Sequence, residues 1–133
     1  LYGPYGANSG KLCPSGWHVS TNEDWDILVS HLGGEEVAGG KLKSTVTEYW
    51  ETPNVGATNE TGFSAFPGGF VRRQKYCGPV FCCLINNDAY FWSSDETLRH
   101  LKHDSNSVYN IDISLYFISY WTPLYVSVRC VKD

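Results

Sequence analysis

The chain has 133 residues, 18% of them charged, and a net charge of −4 at neutral pH. That length suits one domain with a core of its own, and the acidic balance, with no basic run longer than Arg72-Arg73, argues against binding to a phosphate backbone. No apolar run approaches the roughly 18 residues of a membrane span, and no signal peptide is visible.

The chain opens on Leu1 rather than Met. It is therefore expected to be a fragment, the C-terminal domain of a longer protein, with a lost leader left open. The first strand expected is Gly16-Trp17-His18-Val19. Ser20 and Glu23 then have capping-box spacing, with Ser20 as the N-cap. Trp25, Leu28, Val29 and Leu32 follow at i, i+3, i+4 and i+7, one face of a helix that Gly33-Gly34 ends. A second, shorter helix is expected from about Glu35 to Lys43, weakened by Gly39-Gly40. Thr52 to Gly69 is rich in Gly, Asn and Pro and reads as a long ordered loop. Ala89 to Ser93, Ser107 to Ser114 and Tyr125 to Val131 read as strands. Helices first and strands after make an α+β chain rather than a parallel α/β one. All thirteen glycines lie at or before Gly78, so later turns must use Asn, Asp, Ser and Pro123.

Five cysteines cannot all pair within one chain. The pair best placed for a structural disulfide is Cys13 with Cys130, each in a strand-like context near a terminus. Cys77, Cys82 and Cys83 lack Cys-x-x-Cys spacing and are read as a local disulfide or incidental thiols. His100, His103 and Asp104 are spaced as no familiar zinc motif and name no further ligand, so they read as a polar loop. No nucleophile elbow, phosphate cradle or helix N-terminus beside a cysteine is present. No cofactor is implied, and the chain is not expected to be an enzyme. Asn59-Glu60-Thr61 is a formal glycosylation acceptor. Trp17, Trp25, Trp50 and Trp92 read as core; Trp121, between Tyr120 and Thr122-Pro123, reads as exposed.

Several stretches together carry a family resemblance: GKLCPSGWHVSTNEDWDILVSHLGG (10–34), VAGGKLKS (37–44), PNVGATNETGFSAFPGGF (53–70), AYFWSS (89–94) and VSVRCVKD (126–133). They resemble the family named for the major paralogous domain of Fibrobacter succinogenes, over about two thirds of the chain and in order. The resemblance implies a bacterial secreted or surface-attached protein with a C-type-lectin-like fold, related to the formylglycine-generating enzymes. In that fold two helices flank a small twisted antiparallel sheet, with long ordered loops and paired terminal strands, which supports Cys13 with Cys130. The Glu-Pro-Asn, Gln-Pro-Asp and Trp-Asn-Asp triplets of calcium-dependent sugar binders are missing. The copper-binding cysteine pair of the formylglycine-generating enzymes has no clear counterpart either.

The likeness is tight over 10–70 and fades over 71–88 and 95–125. The family's Gly-Phe before Ser-Val-Arg-Cys is replaced by Tyr125-Val126. A framework with two divergent islands is similar to the variable proteins of diversity-generating retroelements, where adenines of template Asn codons are randomised. Such codons, ending in a pyrimidine, cannot encode Lys, Glu, Gln, Met or Trp. Over 76–88 and 103–127 only Trp121 belongs to that set, where ordinary composition implies about seven or eight.

The resemblance thus implies a calcium-independent ligand-binding face from 76–88 and 95–127. The first island offers Tyr76, Phe81, Asn87 and Asp88. The second offers His100, His103, Asp104, Asn106, Tyr109, Asn110, Asp112 and Ser114, then the aromatic run Tyr116, Phe117, Tyr120, Trp121 and Tyr125. Aromatic side chains give large contact area at low entropic cost, and the polar ones adaptable hydrogen bonds. The partner expected is a protein or glycan on another cell, phage or host surface, with no nucleic acid and no membrane insertion. The domain itself is expected at a cell surface, as lipoprotein or pilus tip, or on a phage particle. The alternatives are a cysteine-dependent enzyme related to the formylglycine-generating group and a structural surface domain without a ligand.

Overall fold

The computed structural model describes residues 1–72, 81–113 and 124–133. It is α+β. Among the described residues three helices, α1 (Pro4–Ala7), α2 (Asn22–His31) and α3 (Glu35–Leu42), accompany nine short strands: β1 (Trp17–Val19), β2 (Phe70–Arg72), β3 (Phe81–Cys83), β4 (Asp88–Trp92), β5 (Thr97–Lys102), β6 (Val108–Asp112), β7 (Leu124–Tyr125), β8 (Ser127–Val128) and β9 (Cys130–Lys132).

The helix α2 follows its apolar period. Trp25, Val29 and Leu32 are buried, and Leu28 packs beside them. Its cap is one residue later than the sequence spacing implied. Thr21 is the N-cap, its Oγ1 accepting from the Asp24 N–H at 3.0 Å while Asp24 Oδ2 accepts from the Thr21 N–H at 2.8 Å. Ser20 is unavailable because it is buried, and its Oγ accepts the Trp25 indole N–H at 2.9 Å.

The glycines of α3 have a packing role rather than a weakening one. A Cβ on Gly39 would overlap the carbonyl oxygens of Asn106 and Ser107, and one on Gly40 would overlap that of Gly56. Only glycine lets the helix backbone lie this close, close enough for the Gly40 N–H to reach the Asn106 carbonyl at 3.1 Å. Residues 52–69 contain no helix or named strand, as their composition implied.

The largest sheet runs β6-β5-β4-β8, with β8 parallel to β4 and the other pairs antiparallel. Side chains alternate across it. Ala89, Phe91, Leu101 and Val108 join Trp25, Val29, Leu42 and Trp50 in one core cluster. Trp92 and Leu98 join Ala7, Leu124 and Val126 in a second, which Tyr90, Ile111, Ile113 and Phe70 flank. Strand β5 was missed in the sequence because its buried Arg99 looks like a surface residue. Arg99 bonds Asp26 Oδ1 at 2.9 Å and Asn22 Oδ1 at 3.1 Å, which ties the sheet to α2.

The strand expected over Tyr125–Val131 is three strands, each in a different sheet. β7 pairs with β2, β8 with β4 and β9 with β1. Cys13 and Cys130 form the disulfide, with Cα atoms 5.8 Å apart, although Cys13 lies in a bend and not a strand. Trp25, Trp50 and Trp92 are core, but Trp17 is 45% exposed. It opens the β1–β9 ribbon opposite the exposed Lys132, and only Val19, two residues on, is buried.

Lys43, just past α3, is fully buried. Its Nζ donates to the carbonyls of Val55, Lys102 and Ser105 at 2.8, 2.9 and 2.9 Å, and stands 5.4 Å from the Trp50 ring centroid. Burial pulls its pKa down to about 8, with Asp104 pulling the other way.

Candidate ligand-binding face

Strand register decides which of the expected residues can share a surface. Tyr90, His100 and Tyr109 are cross-strand partners on β4, β5 and β6, so they form one lateral row. The His100 ring stacks on Tyr90 at 4.2 Å with an interplanar angle of 7°, and Tyr109 lies 5.7 Å away on the other side. The buried Asp88, on the same sheet face, bonds His100 Nε2 through Oδ1. Tyr109 is exposed, and its hydroxyl lies 3.0 Å from Ser105 Oγ. The row therefore runs from a locked, stacked histidine to an open phenol.

Asn110 and Asp112 cannot belong to that row. With a side-chain period of two they project to the opposite sheet face, opposite Arg99 and Thr97, although both are exposed at the β6 edge. Asn87, His103, Asp104 and Asn106 sit in turns that the scaffold holds. The His103 N–H donates to the Asn87 carbonyl at 2.8 Å, and the His103 carbonyl accepts from the Val55 N–H at 2.7 Å. Asp104 lies 3.5 Å from Lys102 Nζ. Asn106 is exposed, yet its carbonyl holds α3 and its side-chain amide lies against Gly56. The segment 102–106 is thus pinned to α3 and Lys43 rather than standing free.

Tyr125 is half-buried and packs by Gly3, paired in β7 with Val71. Phe81 enters through its backbone alone, in register with Arg72. Tyr76, Ser114, Tyr116, Phe117, Tyr120 and Trp121 lie outside the described residues, as do Cys77 and the side chains of Cys82 and Cys83. Tyr90 was absent from the sequence-based set. The alternation of Asp88-Ala89-Tyr90 was the signal that could have placed it beside Asp88.

One rung relates the two divergent islands. Arg72 pairs with Phe81 on one side and Leu124 on the other. The described backbone therefore reaches both ends of 73–80 and one end of 114–123 at adjacent positions. Ile113, at the other end, packs on the cluster that contains Leu124. Among the described residues no three His, Cys, Asp or Glu side chains are grouped as a metal site, and no helix is long and apolar enough to cross a membrane.

The family model described as the Fibrobacter succinogenes major domain matches residues 1–132. The chain belongs to that family. The match spans the framework and both islands, so the family's domain includes the segments in which the sequence likeness fades. No curated protein and no solved structure matches the chain.

Proposed function

We propose that this member of the Fibrobacter succinogenes major domain family is a ligand-binding domain of adhesin or receptor type. Its scaffold is C-type-lectin-like, its variable face is built from 76–88 and 95–127, and that face is diversified by a retroelement without any need for calcium. The ligand is a protein or glycan on another cell, phage or host surface, and the domain itself stands on a cell surface or a phage particle.

The observation that carries this reading is the common rung of Arg72, Phe81 and Leu124, which sets Phe81 of the first island and Leu124 of the second on either side of one residue although they are far apart in sequence. Randomised positions serve one ligand only when they share a surface. The row of Tyr90, His100 and Tyr109 extends from the same neighbourhood, because Phe70 of β2 meets Tyr90 edge-on at 5.6 Å. The framework behind it is fixed by the Cys13–Cys130 disulfide and by Lys43, whose bonds into the second island go to backbone carbonyls, so exposed side chains of the islands can change without breaking them.

The test is deep sequencing of the coding region and its flanking DNA across the source population. The expected result is substitution concentrated at 76–88 and 95–127, in codons ending in a pyrimidine, matched by adenines in a nearby near-copy. Fixed codons at these positions with no near-copy would end the retroelement reading.

A further inference from the structure

Five large apolar side chains gather away from that rung. Val46, Tyr49, Phe66, Leu84 and Ile85 are each 43–55% exposed. Two of them form a supported platform: the rings of Tyr49 and Phe66 meet edge-on at 4.9 Å. Each is the sequence neighbour of a buried residue, Trp50 or Ala65, and the Trp50 indole N–H donates to the Ala65 carbonyl at 2.9 Å. The inward pair therefore fixes the outward pair. The backbone of Asn86 connects the platform to the turn carrying Leu84 and Ile85. Its N–H donates to the Pro67 carbonyl at 3.0 Å and its carbonyl accepts the Glu51 N–H at 2.7 Å.

That turn holds Leu84 in a conformation leucine does not favour. Leu84 has φ 59° and Asn86 φ 72°, in the left-handed region where a leucine is rare. The N–H groups of Asn87 and Asp88 close on the Leu84 carbonyl at 3.2 and 3.0 Å. Leu84 and Ile85 are thus kept outward by the backbone. They follow Cys83, which pairs with Phe70 at the end of β3 opposite the Arg72–Phe81 rung, so this surface lies at the other end of that strand, where Leu84 and Ile85 of the 76–88 segment meet Tyr49 and Phe66 of the framework.

The surround is acidic. Glu48 and Glu51 are exposed and make no ion pair among the described residues. No Lys or Arg occurs in 44–53, 63–70 or 84–88, so nothing in these segments offsets them.

We propose that this end of the domain docks a protein partner through a segment that carries an aromatic or aliphatic anchor flanked by Lys or Arg. An exposed apolar patch with a polar rim marks an interaction surface. Aromatic anchors supply most of such binding energy, and a patch fixed by backbone bonds loses little freedom on association. The two glutamates select the sign of the partner. They also oppose a symmetric pair of these chains, which would set Glu48 and Glu51 against their own copies in a chain already carrying −4.

The experiment is peptide-display selection on the immobilised domain, followed by titration of the selected peptides against variants. Selected sequences should combine an aromatic or aliphatic residue with Lys or Arg. Their affinity should fall at least about tenfold on Tyr49→Ser with Phe66→Ser. It should fall about threefold to tenfold on Glu48→Gln with Glu51→Gln, with a shallower salt dependence. Ile85→Ser, a single change at an exposed position, serves if the aromatic double variant does not fold. The proposal is overturned if no peptides are selected, if those selected lack basic residues, or if they bind the variants as well as the parent. It is also overturned if sedimentation reveals a dimer that Tyr49→Ser dissolves, since the occupant is then a second copy.

Discussion

Replacing Lys43 with methionine removes one ammonium and leaves the aliphatic stem nearly unchanged. The group lost is the common donor to the carbonyls of Val55 in the 52–69 loop, Lys102 at the end of β5 and Ser105 just beyond it. Hydrogen bonds to a charged group contribute about 1.5–3 kcal/mol each, so three of them amount to roughly 5–9 kcal/mol. Against this stands the cost of keeping an ammonium out of water, several kcal/mol, which the substitution relieves and which is the cause of the pKa of about 8. The net loss expected for Lys43→Met is about 2–4 kcal/mol. For a domain of this size that lowers Tm by roughly 8–14 °C. Urea unfolding followed by circular dichroism measures the free energy, and hydrogen exchange locates it. The amides of Val55 and Gly40, bonded to His103 and Asn106, should lose protection first. A loss below about 0.5 kcal/mol would refute the reasoning, because it would mean the carbonyls find water or that hydrophobic replacement is neutral here.

Gly39→Ala should destabilise the chain by about 2 kcal/mol or more in chemical denaturation, because overlap with the 106–107 backbone outweighs the ~1 kcal/mol gain in helix propensity; a stabilised variant would mean the helix can shift away. Thr21→Ala should cost about 1–2 kcal/mol through the capping box. Ser20→Ala should instead strand the Trp25 indole N–H and shift the near-ultraviolet tryptophan signal, so equal spectra for both variants would show the assignment of roles to be wrong. His18 lies between Asp133 at 2.7 Å and Asp24 at 2.9 Å. Hydrogen bonds to Asp133 and then Asp24 raise its pKa above 6.5. Stability from His18 is therefore present below 6.5 and lost as pH rises through the raised folded value. Burial alone would raise Asp24, but bonds from the Thr21 N–H, His18 and the Thr21 hydroxyl outweigh it and hold it below 3.8, so its contribution is lost as pH falls through that lowered value. Tm of the parent should decline relative to His18→Asn as pH climbs past 6.5, and parallel profiles would exclude the clamp.

What was legible in the sequence was periodic or compositional. The α2 face could be read because Trp25, Val29 and Leu32 bury at helical spacing with nothing to compete. The 52–69 loop could be read from its Gly, Asn and Pro content. The Ser20 cap could not, because two hydroxyls stand side by side and the choice was made by a tertiary partner, the indole of Trp25. Lys43 carried no local signal, since its three acceptors come from residues 55, 102 and 105 and are brought together only by the fold. Gly39-Gly40 looked like damage to a helix when read by propensity, and become a requirement once the 106–107 backbone lies against them.

The site was less legible for a related reason. A list of residues drawn from an island treats neighbours in sequence as neighbours on a surface, and β6 breaks that equivalence. Tyr109 joins His100 on one side of the sheet while Asn110 and Asp112 face the other. His100 itself is committed to Asp88 and to the Tyr90 ring, so changing it would disturb the support of the face as well as its contacts. Tyr109, at the open end of the row, can change at far smaller structural cost. If the islands are diversified for binding, variation should therefore fall on Tyr109 and spare His100 and Asp88, although all three lie in the divergent segments. A population in which Asp88 and His100 vary as freely as Tyr109 would mean that this row is not a scaffolded binding surface.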